Sequence, residues 1–167
     1  MKAAAAPSPE APPPRLGNAL EFMRLIWAME NALQKRSRRM ESELGVTAPQ
    51  RLVVRMVGRF PGVQAGHLAQ LLHVHPSTLT GIIQRLEKQG LIRKRVDPRD
   101  GRRTLLSLTD AGHALAAVTT GTVEFSIEQA LESIPQAQLA AASDVLKAIT
   151  ASLDQPSSPR SIGVSHD

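Results

Sequence analysis

The sequence predicts a mostly α fold with a β-hairpin wing: a winged helix-turn-helix domain flanked by long N- and C-terminal dimerisation helices. Three observations carry this. Two short amphipathic segments, one with Leu68, Leu71 and Leu72 and one running from Pro76 to Gly90, follow each other across the turn His73-Val74-His75, the order of a helix-turn-helix. Two extended runs, Leu91 to Val96 and Arg103 to Leu108, flank Asp97-Pro98-Arg99-Asp100-Gly101, which has the turn chemistry of a hairpin. Apolar residues at helical spacing extend on both sides of this centre.

Proline marks the boundaries. Five of the twelve prolines lie in the first fourteen residues, and Pro156 and Pro159 lie near the other end. Residues 1–15, rich in Ala and Pro, and residues 154–167 therefore read as disordered tails around a single domain at 16–153. In segment 16–44, Leu16, Leu20, Met23, Trp27 and Leu33 recur at helical spacing, followed by the basic run Lys35, Arg36, Arg38 and Arg39. Thr47 caps a second helix through Arg59, with Pro49 in its first turn and Leu52, Val53, Met56 and Val57 facing inward; Pro61-Gly62 stops it. After the helix-turn-helix and the hairpin, Thr109 caps one further helix, with Asp110 in its first turn and Leu115, Val118, Ile127, Leu131 and Ile134 as core candidates. The last helix opens near Pro135 and carries Leu139, Leu146, Ile149 and Leu153. The predicted order is four helices, a hairpin and two helices, with residues 47–109 as the winged helix-turn-helix.

No third layer of this chain remains to cover the apolar sides of helices 16–44 and 110–153. A second copy would cover them, so the reading expects a two-fold homodimer that places two hairpins and two helix-turn-helices on one face.

Composition excludes several chemistries. The 167 residues, 42% of them hydrophobic, suffice for one domain with a real core. No cysteine is present, which removes thiol catalysis, cysteine-ligated zinc or iron-sulfur sites, disulfides and a cysteine peroxide switch. The start lacks the apolar core of a signal peptide, and no stretch reaches the roughly 18 apolar residues of a membrane span; a cytoplasmic location with no membrane partner is the expectation. The net charge of +5 is polarised: residues 16–60 and 61–110 each carry +4, whereas residues 111–155 carry −4. Such a basic front suits either a polyanion or ordinary solvation.

Helical periodicity divides the segment from Ser77 to Lys88. Leu79, Ile82, Ile83 and Leu86 make the buried side, while Ser77, Gly81, Gln84 and Lys88 run down the other, with Thr78 and Arg85 beside them. Small hydroxyls at the N-terminal end permit close approach to a major groove, and first-turn amides suit a phosphate. Gly81 costs about 1 kcal/mol of helix propensity relative to alanine; it either admits DNA or is a tolerated surface glycine. Gln84 can read adenine. Arg85 either meets phosphate or guanine, or pairs with a carboxylate near Glu87 or at Asp97. The hairpin holds six cations, Arg93, Lys94, Arg95, Arg99, Arg102 and Arg103, against Asp97 and Asp100. In a DNA role Asp100 orients an arginine while Arg99 or Arg102 enters a minor groove; the plain alternative is a solvated tip.

The runs Ser77-Thr78-Leu79-Thr80, Leu86-Glu87-Lys88-Gln89-Gly90-Leu91-Ile92, Asp97-Pro98-Arg99-Asp100-Gly101-Arg102-Arg103 and Leu108-Thr109-Asp110-Ala111-Gly112 resemble the MarR family of bacterial winged-helix regulators. The resemblance extends from about Leu16 to Leu153, and the charged wing followed at this distance by Leu-Thr-Asp-Ala-Gly is its most specific part. It implies a homodimer on a near-palindromic double-stranded DNA operator, usually repressing transcription and often released by a small aromatic or phenolic effector. It implies a recognition helix at about Pro76 to Gln89 with Ser77, Thr78, Thr80 and Arg85 as contacts, and a DNA-binding wing with Arg99, Asp100 and Arg102, beside Arg103. Position relative to the family's pocket makes Met23, Trp27 and Met56 effector candidates; ordinary core or interface roles are equally open to them.

His67, His73, His75 and His113 raise a metal-responsive alternative, but no convincing carboxylate or cysteine completes a ligand set, so neither metal nor cofactor is expected. No nucleophile–base–acid constellation and no phosphate-cradling glycine loop emerges, which sets an enzyme aside. The stronger alternative is a constitutive or architectural DNA-binding protein without effector control.

Overall fold

The computed structural model describes residues 17–155. The predicted N-terminal tail, Leu16, and the predicted C-terminal tail from residue 156 onward lie outside the described residues. The elements are α1 (Asn18–Leu44), α2 (Ala48–Arg59), β1 (Val63–Gln64), α3 (Ala65–Leu71), α4 (Pro76–Lys88), β2 (Ile92–Asp97), β3 (Asp100–Leu108), α5 (Asp110–Ala117), α6 (Val123–Leu131) and α7 (Gln136–Leu153). They form two compact units, one closing at Val123 and one opening at Glu124. This is the predicted class: mostly helical, with a β2–β3 hairpin wing and long flanking helices.

In the first unit, the first turn of α1 holds Glu21 beside Arg24, whose guanidinium hydrogen-bonds the carboxylate and lowers its pKa. The helix stops at Gly45, whose φ of 73° turns the chain left-handed and lets its N–H reach Glu41 O at 2.9 Å. Thr47 then opens α2 with a capping box: Gln50 N–H donates to Thr47 Oγ1, and Thr47 N–H donates to Gln50 Oε1 at 2.9 Å. Val53, Val54 and Val57 carry α2 into the core. Leu52, expected inward, is 51% exposed; the buried face follows Gln50, Val53, Val54 and Val57 at helical spacing, and Leu52 falls off that arc. In α3, Leu68 and Ala69 are buried and Leu72 is half-buried against the same core, whereas Leu71 at the helix end is exposed.

The sheet is antiparallel with order β1-β3-β2, Val63 facing Leu106 and Ile92 facing Leu108; a bulge between Val96 and Asp97 precedes the hairpin tip. The two-residue β1 was not legible beforehand. One core joins the pieces, with Val53, Val57, Leu68, Leu79, Ile83, Leu86, Ile92 and Leu106 all buried.

Thr109 caps α5 as expected, its Oγ1 accepting from Gly112 N–H at 3.1 Å. Gly112 sits so close to the preceding strand that a Cβ there would lie 2.1 Å from Leu91 O, and no side chain fits. The single helix expected from Thr109 to about Ile134 is instead two. The chain leaves α5 at Ala117, and Val118 is extended. Arg51 supplies a physical reason: this 1%-exposed residue of α2 directs its guanidinium at the carbonyls of Leu115, Ala116 and Val118. They belong to the end of the helix, where carbonyls lose their regular backbone donors; Leu115 O also accepts from Val118 N–H at 3.1 Å and Ala116 O from Arg55 Nη1 at 2.9 Å. Among the core candidates of that segment, Leu115 and Val118 are half-buried and Ile127, Leu131 and Ile134 are exposed.

The second unit holds most of α6 and all of α7, which opens after Pro135 as predicted. Leu139 and Ile149 are half-buried, whereas Leu146 and Leu153 are exposed. Among the described residues no helix is long and apolar enough to cross a membrane.

Candidate nucleic-acid interface

The second helix of the helix-turn-helix, α4, owes its placement to three buried residues. Leu79, Ile83 and Leu86 anchor one side in the core with half-buried Ile82 beside them, so the other side is turned outward. Ser77, Thr78, Thr80, Gln84, Arg85 and Lys88 are all exposed there. Gly81 is half-buried, yet an added Cβ would meet nothing within 4 Å; internal packing does not require a glycine at this position. Thr80 Oγ1 donates to Pro76 O at 2.8 Å, tying that hydroxyl back into the helix. His75, immediately before Pro76, is the N-cap: its Nδ1 accepts from Ser77 N–H at 3.3 Å and lies 2.7 Å from Ser77 Oγ.

The wing meets α4 through a contact the sequence reading missed. Lys94 Nζ of β2 lies 2.6 Å from Glu87 Oε2 of α4, linking the hairpin to the exposed stripe. Glu87 is thus engaged by Lys94, and Asp97 Oδ1 accepts from Arg99 N–H at 2.9 Å. Neither carboxylate is taken by Arg85, which makes no ion pair among the described residues. The signal for the Lys94–Glu87 pair lies in strand parity: Lys94 stands on the same face of β2 as buried Ile92, the face turned toward α4.

At the tip the two aspartates shape the turn. Asp97 receives Arg99 N–H, and Asp100 Oδ1 receives Arg102 N–H at 3.1 Å, the local bonding that favours aspartate in turns. Asp100 Oδ2 also pairs with Arg103 Nε at 2.9 Å, so the guanidinium it orients is that of Arg103. Arg99 and Arg102 are exposed, without ion pairs among the described residues. The arrangement brings together an exposed helix face of hydroxyls, an amide and cations, and a hairpin whose tip carries two exposed arginines. Chemically it offers donors to phosphate and base edges.

Away from this surface, Arg55, Met56, Gly58, Arg59, Leu108, His113 and Ala116 line a cleft of about 410 Å³. Of the three effector candidates only Met56 lines it; Met23 and Trp27 lie on α1, 63% and 69% exposed. Among the described residues no group of three or more His, Asp or Glu side chains is placed to hold a metal ion.

Comparison with known proteins adds to this geometry. A family model described as MarR family matches residues 44–103. The chain is 29% identical over 125 residues to the organic hydroperoxide resistance transcriptional regulator of Bacillus subtilis, covering 73% of this chain and 84% of that protein. It is 31% identical over 90 residues to the transcriptional regulator HosA of Escherichia coli O111:H-, covering 53% of this chain and 67% of the relative. Among solved structures it is similar to a MarR family transcriptional regulator from Listeria monocytogenes complexed with 26mer DNA, with a TM-score of 0.65 at 25% identity, covering 78% of this chain and 87% of that one.

Proposed function

The chain belongs to the MarR family of DNA-binding transcriptional regulators, and from that premise we propose that it acts as a homodimeric repressor of a near-palindromic double-stranded DNA operator, released by a small-molecule effector. The observation that carries the DNA-binding surface is the exposed face of α4 standing beside a wing tip with Arg99 and Arg102 exposed. In this reading Ser77, Thr78, Gln84 and Arg85 read base edges or adjacent phosphates in the major groove, Gly81 allows close approach, and Lys88 meets the backbone. Arg99 or Arg102 enters the neighbouring minor groove, with Arg103 held by Asp100 supporting the tip.

Dimerisation is assigned to α1 and the helices after Thr109. Leu20, Met23, Leu25 and Trp27 on α1 are exposed on the single chain, as are Ile127, Leu131, Leu146 and Leu153, a supply of apolar surface larger than a monomer ordinarily leaves bare. The effector reading draws on the cleft beside α2: Arg55, Arg59 and His113 supply donors around apolar Met56, Leu108 and Ala116. Such a lining fits a small aromatic or phenolic compound bearing an acidic group.

The test is selection of genomic DNA fragments by purified protein, followed by titration of the strongest fragment and its scrambled version at several salt concentrations. A near-palindrome with half-sites about one helical turn apart, bound more weakly as salt rises, is the expected outcome. Equal, salt-sensitive binding to both fragments would instead establish an architectural protein, and no binding at low salt would refute the nucleic-acid role.

A further inference from the structure

The recognition helix begins on an unusual cap. Serine, threonine, aspartate and asparagine are the common N-cap residues, and here the acceptor is the imidazole of His75. Nδ1 stands in accepting geometry 3.3 Å from Ser77 N–H, an arrangement that requires the tautomer with the ring proton on Nε2. The same Nδ1 lies 2.7 Å from Ser77 Oγ. Across that contact only the serine hydroxyl has a proton to give. Its O–H is therefore directed at His75, and its oxygen turns lone pairs to the exposed side.

We propose that His75 fixes the hydrogen-bonding sense of Ser77, making it an acceptor that selects a base bearing an exocyclic amino group. This rests on the DNA-reading role of α4 put forward above. A free serine hydroxyl both donates and accepts, and so tolerates guanine, thymine, adenine, cytosine or a phosphate. With its proton committed to His75, Ser77 has only acceptance left. In the major groove the donors are adenine N6 and cytosine N4, whereas guanine O6 and N7, thymine O4 and phosphate oxygens all accept. His75 is thus a positioning residue that need not touch DNA: it acts by deciding which edge Ser77 can read.

The experiment is selection from a randomised double-stranded DNA pool by the full-length protein and its variants, with enrichment read by sequencing and checked by titration of single-base-pair substitutions. S77A identifies the base pair that depends on Ser77. In the wild type the preferred pair at that position is expected to lose about fivefold in affinity, the size of one ordinary hydrogen bond, when its major-groove amino group is deleted by putting purine in place of adenine or pyrimidin-2-one in place of cytosine. His75→Asn, whose amide oxygen accepts from both Ser77 groups, is expected to keep the preference. His75→Gly is expected to abolish it at that position alone: glycine is tolerated at an N-cap, so the helix persists while the hydroxyl is released. Thermal unfolding of each variant checks that the helix is intact.

An S77A-sensitive position that H75G leaves unchanged overturns the role of His75 and spares the regulator reading. A Ser77-dependent preference that survives deletion of the pair's major-groove amino group overturns it too, as does a uniform loss of affinity in S77A on every sequence, the mark of a phosphate contact. If the wild type enriches no sequence at all, the regulator reading falls together with this inference.

Discussion

Replacing Arg51 by methionine tests the account of how α5 ends. The substitution keeps an unbranched stem of similar reach in the core and removes the guanidinium, with it the donors that face the carbonyls of Leu115, Ala116 and Val118. Hydrogen bonds from a charged donor contribute roughly 1.5–3 kcal/mol each. These share one guanidinium and do not add, and relief of the desolvation of a fully buried cation offsets part of the loss. Leu115 O keeps Val118 N–H and Ala116 O keeps Arg55, so Val118 O, stripped of the Arg51 donor, sets the balance, and a net destabilisation of about 3 kcal/mol is expected. Urea unfolding at one fixed protein concentration measures it. With a slope of roughly 1–3 kcal/mol/M, the midpoint falls by about 1–3 M. R51K, a point charge that cannot span the three acceptors, is expected between the two. A loss below about 1 kcal/mol in R51M would refute the reasoning and require another cause for the break between α5 and α6.

G112A forces a Cβ against Leu91 O, which is main chain and cannot rotate away; a destabilisation of about 3 kcal/mol is expected in thermal unfolding, and a value near zero would remove the close approach as the reason for this glycine. R99A and R102A are each expected to weaken operator binding on all sequences and to flatten the slope of log K against log salt by about 1 per lost phosphate contact; unchanged affinity in both would refute the wing's role. S77A/T78A, folded normally, is expected to alter operator selectivity, checked by titrating single-base-pair variants. In an E87Q/K94Q double-mutant cycle, the exposed pair is expected to contribute about 0.2–1 kcal/mol of coupling to stability.

Much of the fold was legible because local chemistry marked it. Thr47 as the cap of α2, Thr109 as the cap of α5 and the opening after Pro135 are signals written within a few residues of the event they cause. The division of α4 into a buried and an exposed side followed from periodicity alone, since Leu79, Ile83 and Leu86 repeat at helical spacing. The failures are the long-range ones. The break after Ala117 depends on a guanidinium 64 to 67 positions earlier in the chain, and no local pattern makes Arg51 a core residue. Leu52 was misplaced because hydrophobicity names candidates for burial without saying which arc of the helix meets a neighbour. In the candidate site, the residue types of the exposed stripe and wing could be read directly. The pairing of Lys94 with Glu87, of Asp100 with Arg103, and of His75 with Ser77 could not, because each depends on where a side chain turns once the backbone is in place.

The position of β2 in its sheet has one more consequence. With order β1-β3-β2, it has a single strand neighbour among the described residues, so its outer border is an edge of the kind to which any extended segment can add. Arg93, Lys94 and Arg95 stand in succession along that border, and a second wing approaching it edge to edge would bring the same three cations. Wings carrying these cations therefore repel one another along this border. Neutralising this strand would strip its protection against strand-to-strand association, so aggregation would have to be monitored in any variant that removes these charges.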